Sequence, residues 1–122
     1  MYELKIITHF AAAHRLKDFH GACENLHGHN WKIEVYVSGK RLGKDGLLCD
    51  FKLIKEKTEK VLKELDHTYL NELPPFRDRN PSSENIAEYI FDRLSREINN
   101  ENMKVNKVAA WESDTACATY YV

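Results

Sequence analysis

Residues 2–14 alternate between apolar and polar positions. Leu4, Ile6, Thr8, Phe10, Ala12 and His14 share one parity, and Glu3, Lys5, Ile7 and His9 share the other. A period of two predicts a β-strand with one mostly apolar face, and His14 falls on that face near the strand's end. The alternation resumes at His27, with His29, Trp31, Ile33, Val35 and Val37 on one side and Asn30, Lys32, Glu34 and Tyr36 on the other, and it stops at Ser38-Gly39. Residues 15–26 hold Gly21, Asn25 and mixed polar residues without a period, and they read as a loop.

Beyond the turn residues Gly43 to Gly46 the period changes. Asp50 stands where an N-cap should be, ahead of Phe51, Ile54, Val61, Leu62 and Leu65 at helical spacing. This predicts a helix that stops near Asp66-His67. Pro74-Pro75 and Arg77-Asp78-Arg79 keep residues 68–80 irregular. Pro81-Ser82-Ser83-Glu84 opens a second helix, with a capping hydroxyl and an acid in its first turn. Ile86, Ala87, Ile90, Phe91, Leu94 and Ile98 form its buried stripe, and Asn99-Asn100 ends it. Two further strands follow at about 103–112 and 115–122.

The predicted order is ββααββ, an α+β arrangement with an antiparallel sheet and both helices packed on one face. The 122 residues fit one domain, 1–122, with no repeat or linker. The sheet's other face is left uncovered, and oligomerisation would cover it and close the sheet's edges.

Composition adds mainly exclusions. Hydrophobic residues at 43% and charged residues at 30% are those of a soluble globular chain, and a net charge of −1 gives nucleic-acid binding no support. Three cysteines, an odd and sparse set, do not make a disulfide framework. With no signal pattern and no apolar run of membrane-spanning length, the expectation is a reduced, cytoplasmic protein without a membrane partner.

Of six histidines, four fall within residues 14–29, and three of them share a pattern. His27 and His29, two apart on a strand, point the same way. If the first two strands pair antiparallel, His14 lies beside both. Three imidazoles with one open position form the ligand set of a catalytic zinc. Gly28 between them suits a backbone close to a metal, or a bulge. His9 and His20 fall off this pattern. Cys23, four residues before His27, is either a thiolate proton acceptor or a fourth ligand that would close the site. Cys49 and Cys117, among apolar neighbours, read as core. Asp66-His67 would place a carboxylate-oriented imidazole at a helix C-terminus, a relay if brought near Cys23 and ordinary surface chemistry otherwise. Glu112, among Val108, Ala110 and Trp111, would need a partner if buried. A ligand edge offering two N–H donors is one partner, and a surface position is the alternative.

Ala13-His14-Arg15, Cys23-Glu24-Asn25-Leu26-His27-Gly28-His29, Leu65-Asp66-His67 and Asn80-Pro81-Ser82-Ser83-Glu84-Asn85 together resemble the pyruvoyl-tetrahydropterin synthase / 6-carboxytetrahydropterin synthase family, in the family's order and over nearly the whole chain. The resemblance implies a tunnelling fold: a four-stranded antiparallel sheet with two helices on one side. Subunits of this kind join into a multimeric β-barrel, typically a homohexamer of two stacked trimers with active sites between subunits. It further implies zinc on His14, His27 and His29, Cys23 as general base, and Asp66 with His67 as proton relay. Glu112 would anchor the pterin, with Ser82, Ser83 and Arg15 also at the substrate. Lys17 is a further cation available to a triphosphate.

The three-residue spacer between Cys23 and His27 resembles the 6-carboxytetrahydropterin synthases of queuosine biosynthesis. These are lyases that convert dihydroneopterin triphosphate to 6-carboxytetrahydropterin, acetaldehyde and triphosphate. The pyruvoyl-forming enzymes have a longer spacer. A third subtype, which forms hydroxymethyl-dihydropterin for folate, places glutamate where Glu24 stands, so this chain carries both signatures. A non-catalytic zinc- or pterin-binding module is the reading from a different class.

Overall fold

The computed structural model describes residues 1–17 and 25–122. Strand β1 (Tyr2–His14) pairs antiparallel with β2 (His27–Gly39) in unbroken register, from Tyr2 opposite Gly39 to His14 opposite His27. The register puts Ile6 opposite Val35, Phe10 opposite Trp31 and Ala12 opposite His29, so the apolar parities of both strands share one face. β2 also pairs antiparallel with β4 (Met103–Ser113), which pairs with the edge strand β5 (Ala116–Tyr121).

Helices α1 (Phe51–Leu62) and α2 (Ser83–Ile98) cover the apolar face. The Asp50 carboxylate accepts from Lys52 N at 2.9 Å, and Ser82 Oγ accepts from Asn85 N at 3.2 Å, so both predicted caps form. Trp31, Ile33, Val35 and Val37 meet Ile54, Val61, Leu62, Ile86, Ile90 and Leu94 in one core, each side chain essentially inaccessible. Burial of this kind is worth roughly 1.5–3 kcal/mol for each large apolar side chain.

The sheet gains a strand the sequence did not signal. β3 (Thr68–Tyr69) runs parallel to β1 outside it, giving the order β3-β1-β2-β4-β5, and short 3₁₀ turns at Leu70–Glu72 and Pro74–Phe76 follow. Two residues are too few to leave a period.

The first helix also ends earlier than predicted, at Leu62 rather than near Asp66-His67. The Leu62 carbonyl accepts from both Leu65 N (2.9 Å) and Asp66 N (2.8 Å), which tightens the chain into turns. Leu65 continues the buried stripe although the backbone has left the helix. His67 adopts φ 57°, and its N–H donates to the Ala11 carbonyl at 2.6 Å. Asp66 and His67 are thus held on the edge of β1, beyond the end of the helix. Among the described residues no helix is long and apolar enough to cross a membrane.

Candidate metal centre

His14 ends β1, and His27 and His29 begin β2 on the same face. Their ring centroids lie 4.5–5.0 Å apart. His14 and His29 both pack edge-on against Trp31, at 4.9 and 5.1 Å, and Trp31 stacks on Phe10 at 5.2 Å. The two strands bring the rings together, and the aromatic floor restricts their rotamers.

The second ring nitrogens settle what the site presents. His14 Nδ1 lies 2.8 Å from the Pro81 carbonyl and His27 Nδ1 lies 2.8 Å from the Asn25 carbonyl. A carbonyl only accepts, so both Nδ1 atoms carry hydrogen, which leaves Nε2 as the atom that can offer a lone pair outward. Those two Nε2 atoms face each other at 3.1 Å. Glu112 Oε1 joins them, 3.2 Å from His14 Nε2 and 3.1 Å from His29 Nε2. Facing acceptors repel one another unless a cation stands among them.

One ligand atom from each of His14, His27, His29 and Glu112 lies within 4.8 Å of all the others, so the cluster could hold a metal ion. Bonds of 2.0–2.1 Å in a tetrahedron imply ligand-to-ligand edges of about 3.3 Å, close to the three short separations. The imidazole-to-carbonyl bonds are the kind that orient metal-ligating histidines. The donor set fits zinc.

The parity of β4 explains the placement of Glu112. Ala110 lies opposite Ile33 on the helix-covered face, and Glu112 follows it on that side, next to the histidines. The sequence leaves Glu112 between a ligand edge and a surface position, and does not bring it to the metal cluster, because nothing local announces that β4 lies beside β2. Gly28 is not a bulge: its register with Ala13 is regular.

Asp66 Oδ1 accepts from Ala11 N at 2.9 Å, and Asp66 Oδ2 lies 2.9 Å from His67 Nδ1. The Ala11 N–H holds the Asp66 carboxyl below its ordinary value, and the His67 contact lowers it further, against a smaller upward push from burial. The His67 side chain is 82% exposed. It lines, with His29, Ala11 to Ala13 and Gly28, a surface cavity of about 430 Å³. His67 and His29 therefore border one depression, while Asp66 lines a separate one with His9, Phe10 and Glu59.

The chain leaving β1 is clamped by two asparagines. Arg15 N donates to Asn71 Oδ1 (2.9 Å) and Asn71 Nδ2 donates to Arg15 O (2.7 Å), while Asn80 makes the same pair with Lys17 at 2.9 and 2.6 Å. Lys17, Arg77 and Arg79 line a second cavity of about 440 Å³ together with Ser82. Ser83 is the first residue of α2, and Ser82 is occupied as its cap.

Cys23, Glu24 and His20 lie outside the described residues. Cys49 packs against the core as expected, and burial pushes its thiol up. Cys117 does not: it is exposed on β5 opposite Trp111, because the edge strand turns that parity to the uncovered face.

Residues 3–122 match the 6-pyruvoyl tetrahydropterin synthase family. The chain is 37% identical over 109 residues to a putative 6-carboxy-5,6,7,8-tetrahydropterin synthase of Archaeoglobus fulgidus, covering 89% of this chain and 86% of that one. It is 36% identical over 105 residues to a dihydroneopterin monophosphate aldolase of Pyrococcus furiosus, covering 86% and 84%. The fold is similar to that of the Caenorhabditis elegans 6-pyruvoyl tetrahydropterin synthase, with a TM-score of 0.86 at 26% identity over 99% of this chain and 95% of the other.

Proposed function

Because the chain belongs to the 6-pyruvoyl tetrahydropterin synthase family, we propose that it is a zinc-dependent 6-carboxytetrahydropterin synthase acting on dihydroneopterin triphosphate in queuosine biosynthesis. The observation that carries this reading is the convergence of His14, His27 and His29, the first two with Nδ1 bonded to a carbonyl, beside the cavity that His29 and His67 line. Relatives that bear the 6-carboxytetrahydropterin synthase name support the subtype. The three-residue spacer from Cys23 to His27 favours it too.

His14, His27 and His29 would hold the zinc. Bound there, zinc supplies Lewis acidity to the hydroxyls of the substrate's side chain. Cys23 takes a side-chain proton as thiolate, and His67, oriented by Asp66, carries the proton onward. Glu112 pairs with the pyrimidine edge of the pterin. Arg15 lies at the base of the loop, and the Lys17–Arg77–Arg79 cavity supplies positive charge for the triphosphate. The enzyme acts in the cytoplasm as a homohexamer of two stacked trimers, each chain contributing one domain. Barrel closure would cover the open sheet face and pair the outer edges of β3 and β5.

A second reading has its own support. The 36% identity to the Pyrococcus furiosus aldolase, together with Glu24 beside Cys23, favours side-chain cleavage to hydroxymethyl-dihydropterin. Incubating zinc-loaded protein with dihydroneopterin triphosphate and weighing the product separates the two. 6-Carboxytetrahydropterin with acetaldehyde is expected. Hydroxymethyl-dihydropterin would transfer the base to Glu24, and no product would leave a binding module.

A further inference from the structure

Glu112 differs from His14 in how it is held. His14 is closed off on all sides, with its Nδ1 tied to Pro81, whereas the Glu112 side chain is 36% exposed. Glu112 also sits where β4 loses register with β5: Trp111 faces Cys117 and Ser113 faces Ala116, leaving Glu112 as the unpaired residue of the irregularity. Such bulges re-aim a side chain, and they recur beside active sites. Its carboxylate nevertheless points at the histidine Nε2 atoms, at 3.1 and 3.2 Å.

We propose that Glu112 is the metal's fourth ligand while the site is free of pterin, and that the pterin itself removes it. This rests on the pterin-synthase reading above. The guanidine-like edge of a pterin offers two parallel N–H donors, which match a carboxylate that presents both oxygens. A carboxylate oxygen that gives electron density to a metal is a poorer hydrogen-bond acceptor, and the metal also fixes the direction in which the carboxylate points. The two engagements therefore compete, so docking the ring weakens the Glu112–metal contact and favours opening one position for the side-chain hydroxyls. The substrate thereby unlocks the metal it needs, and the resting site stays closed to adventitious ligands. Linkage requires the converse as well: a pterin without side-chain hydroxyls must loosen the metal.

The test uses the full chain loaded with Co²⁺, whose visible spectrum reports coordination. Without pterin, Glu112→Gln is expected to bind Co²⁺ about tenfold more weakly than the unmodified chain and to show a different spectrum. Adding 6-methyl-7,8-dihydropterin, which has the pyrimidine edge but no side-chain hydroxyl, is expected to shift the unmodified protein's spectrum and weaken its Co²⁺ affinity. Equal Co²⁺ affinity and spectrum in Glu112→Gln would overturn the ligand assignment. A spectrum of the unmodified protein that saturating pterin leaves unchanged would overturn the exchange. This second measurement needs no variant, so it decides the matter even if Glu112→Gln misfolds. Neither readout depends on product formation, so a failure of the reaction assignment is recognised separately.

Discussion

His14 Nδ1 donates a 2.8 Å hydrogen bond to the carbonyl of Pro81, 67 residues along the chain and immediately before the cap of α2. The bond ties the start of the second helix to the tautomer of a metal-ligand candidate. His14→Ala should therefore act twice. It removes one donor from the cluster and leaves a buried carbonyl unsatisfied, at a cost of about 1–3 kcal/mol. Zinc per subunit, measured after dialysis, should fall to near zero, and the metal-free variant should melt below the metal-free parent.

Metal removal should be felt by the fold as well as by the chemistry. Two histidine lone pairs and a carboxylate converge at 3.1–3.2 Å, which is unfavourable without a cation. Free zinc at a hundredfold excess over its dissociation constant stabilises by about 2.7 kcal/mol. For a chain of this length that corresponds to roughly 10 °C in Tm. Calorimetry before and after chelation checks it, and identical melting curves would argue that zinc does not occupy this site.

The legible parts of this molecule were those carried by local period. Alternation marked β1 and β2, and antiparallel pairing of those two neighbours was enough to bring His14 to His27 and His29. Glu112 needed more: its place in the cluster depends on β4 lying beside β2, a pairing between strands some 70 residues apart that no local pattern encodes. The end of α1 was misjudged for the opposite reason. Leu65 is buried in phase with the helix, and only the doubled hydrogen bonding at Leu62 O shows that the backbone has turned away. Cys117 looked like core by its neighbours, yet its face depends on which way an edge strand turns.

On the open face of the sheet, Glu34 accepts from Trp111 Nε1 at 2.5 Å and from Lys5 Nζ at 3.3 Å, and it is only 6% exposed. Burial pushes its carboxyl up, but the Trp111 and Lys5 contacts together outweigh burial and hold it below the usual range. A lowered folded pKa contributes stability that is complete above the unfolded value of about 4.3 and lost as pH falls through the folded value. Urea midpoints of the parent and Glu34→Gln should therefore differ most above about pH 5 and converge in acid. Glu34→Ala should cost about 1–3 kcal/mol at neutral pH.

Gly39, the last residue of β2, is confined by its neighbours. A Cβ there would stand 2.5 Å from Leu48 Cδ1 and 2.6 Å from the Asn102 carbonyl. The leucine tip can move, but the carbonyl belongs to the chain entering β4. Gly39→Ala should destabilise by about 1–3 kcal/mol through overpacking. Gly46→Ala is the control: there the space is open and the difficulty is a φ of 82°. Unfolding curves should show both losses, and trimming Leu48 to Ala should leave most of the Gly39→Ala loss in place, because the Asn102 carbonyl stays.

His67 allows its chemistry to be separated from its backbone. Its φ of 57° is one that non-glycine residues adopt at a cost, and its ring is almost fully exposed. His67→Gly suits that backbone better than histidine does, and the N–H bond to Ala11 O can persist. The variant should therefore melt no lower than the parent by more than the small entropic cost of glycine. If the imidazole carries the proton in the proposed reaction, kcat should nevertheless fall about 10²–10⁴-fold, with KM little changed. Added imidazole should restore part of the rate, with a pH dependence that follows the titration of free imidazole. A His67→Gly enzyme that keeps its full kcat would remove the residue from the mechanism and leave it a turn residue whose ring serves only to orient Asp66.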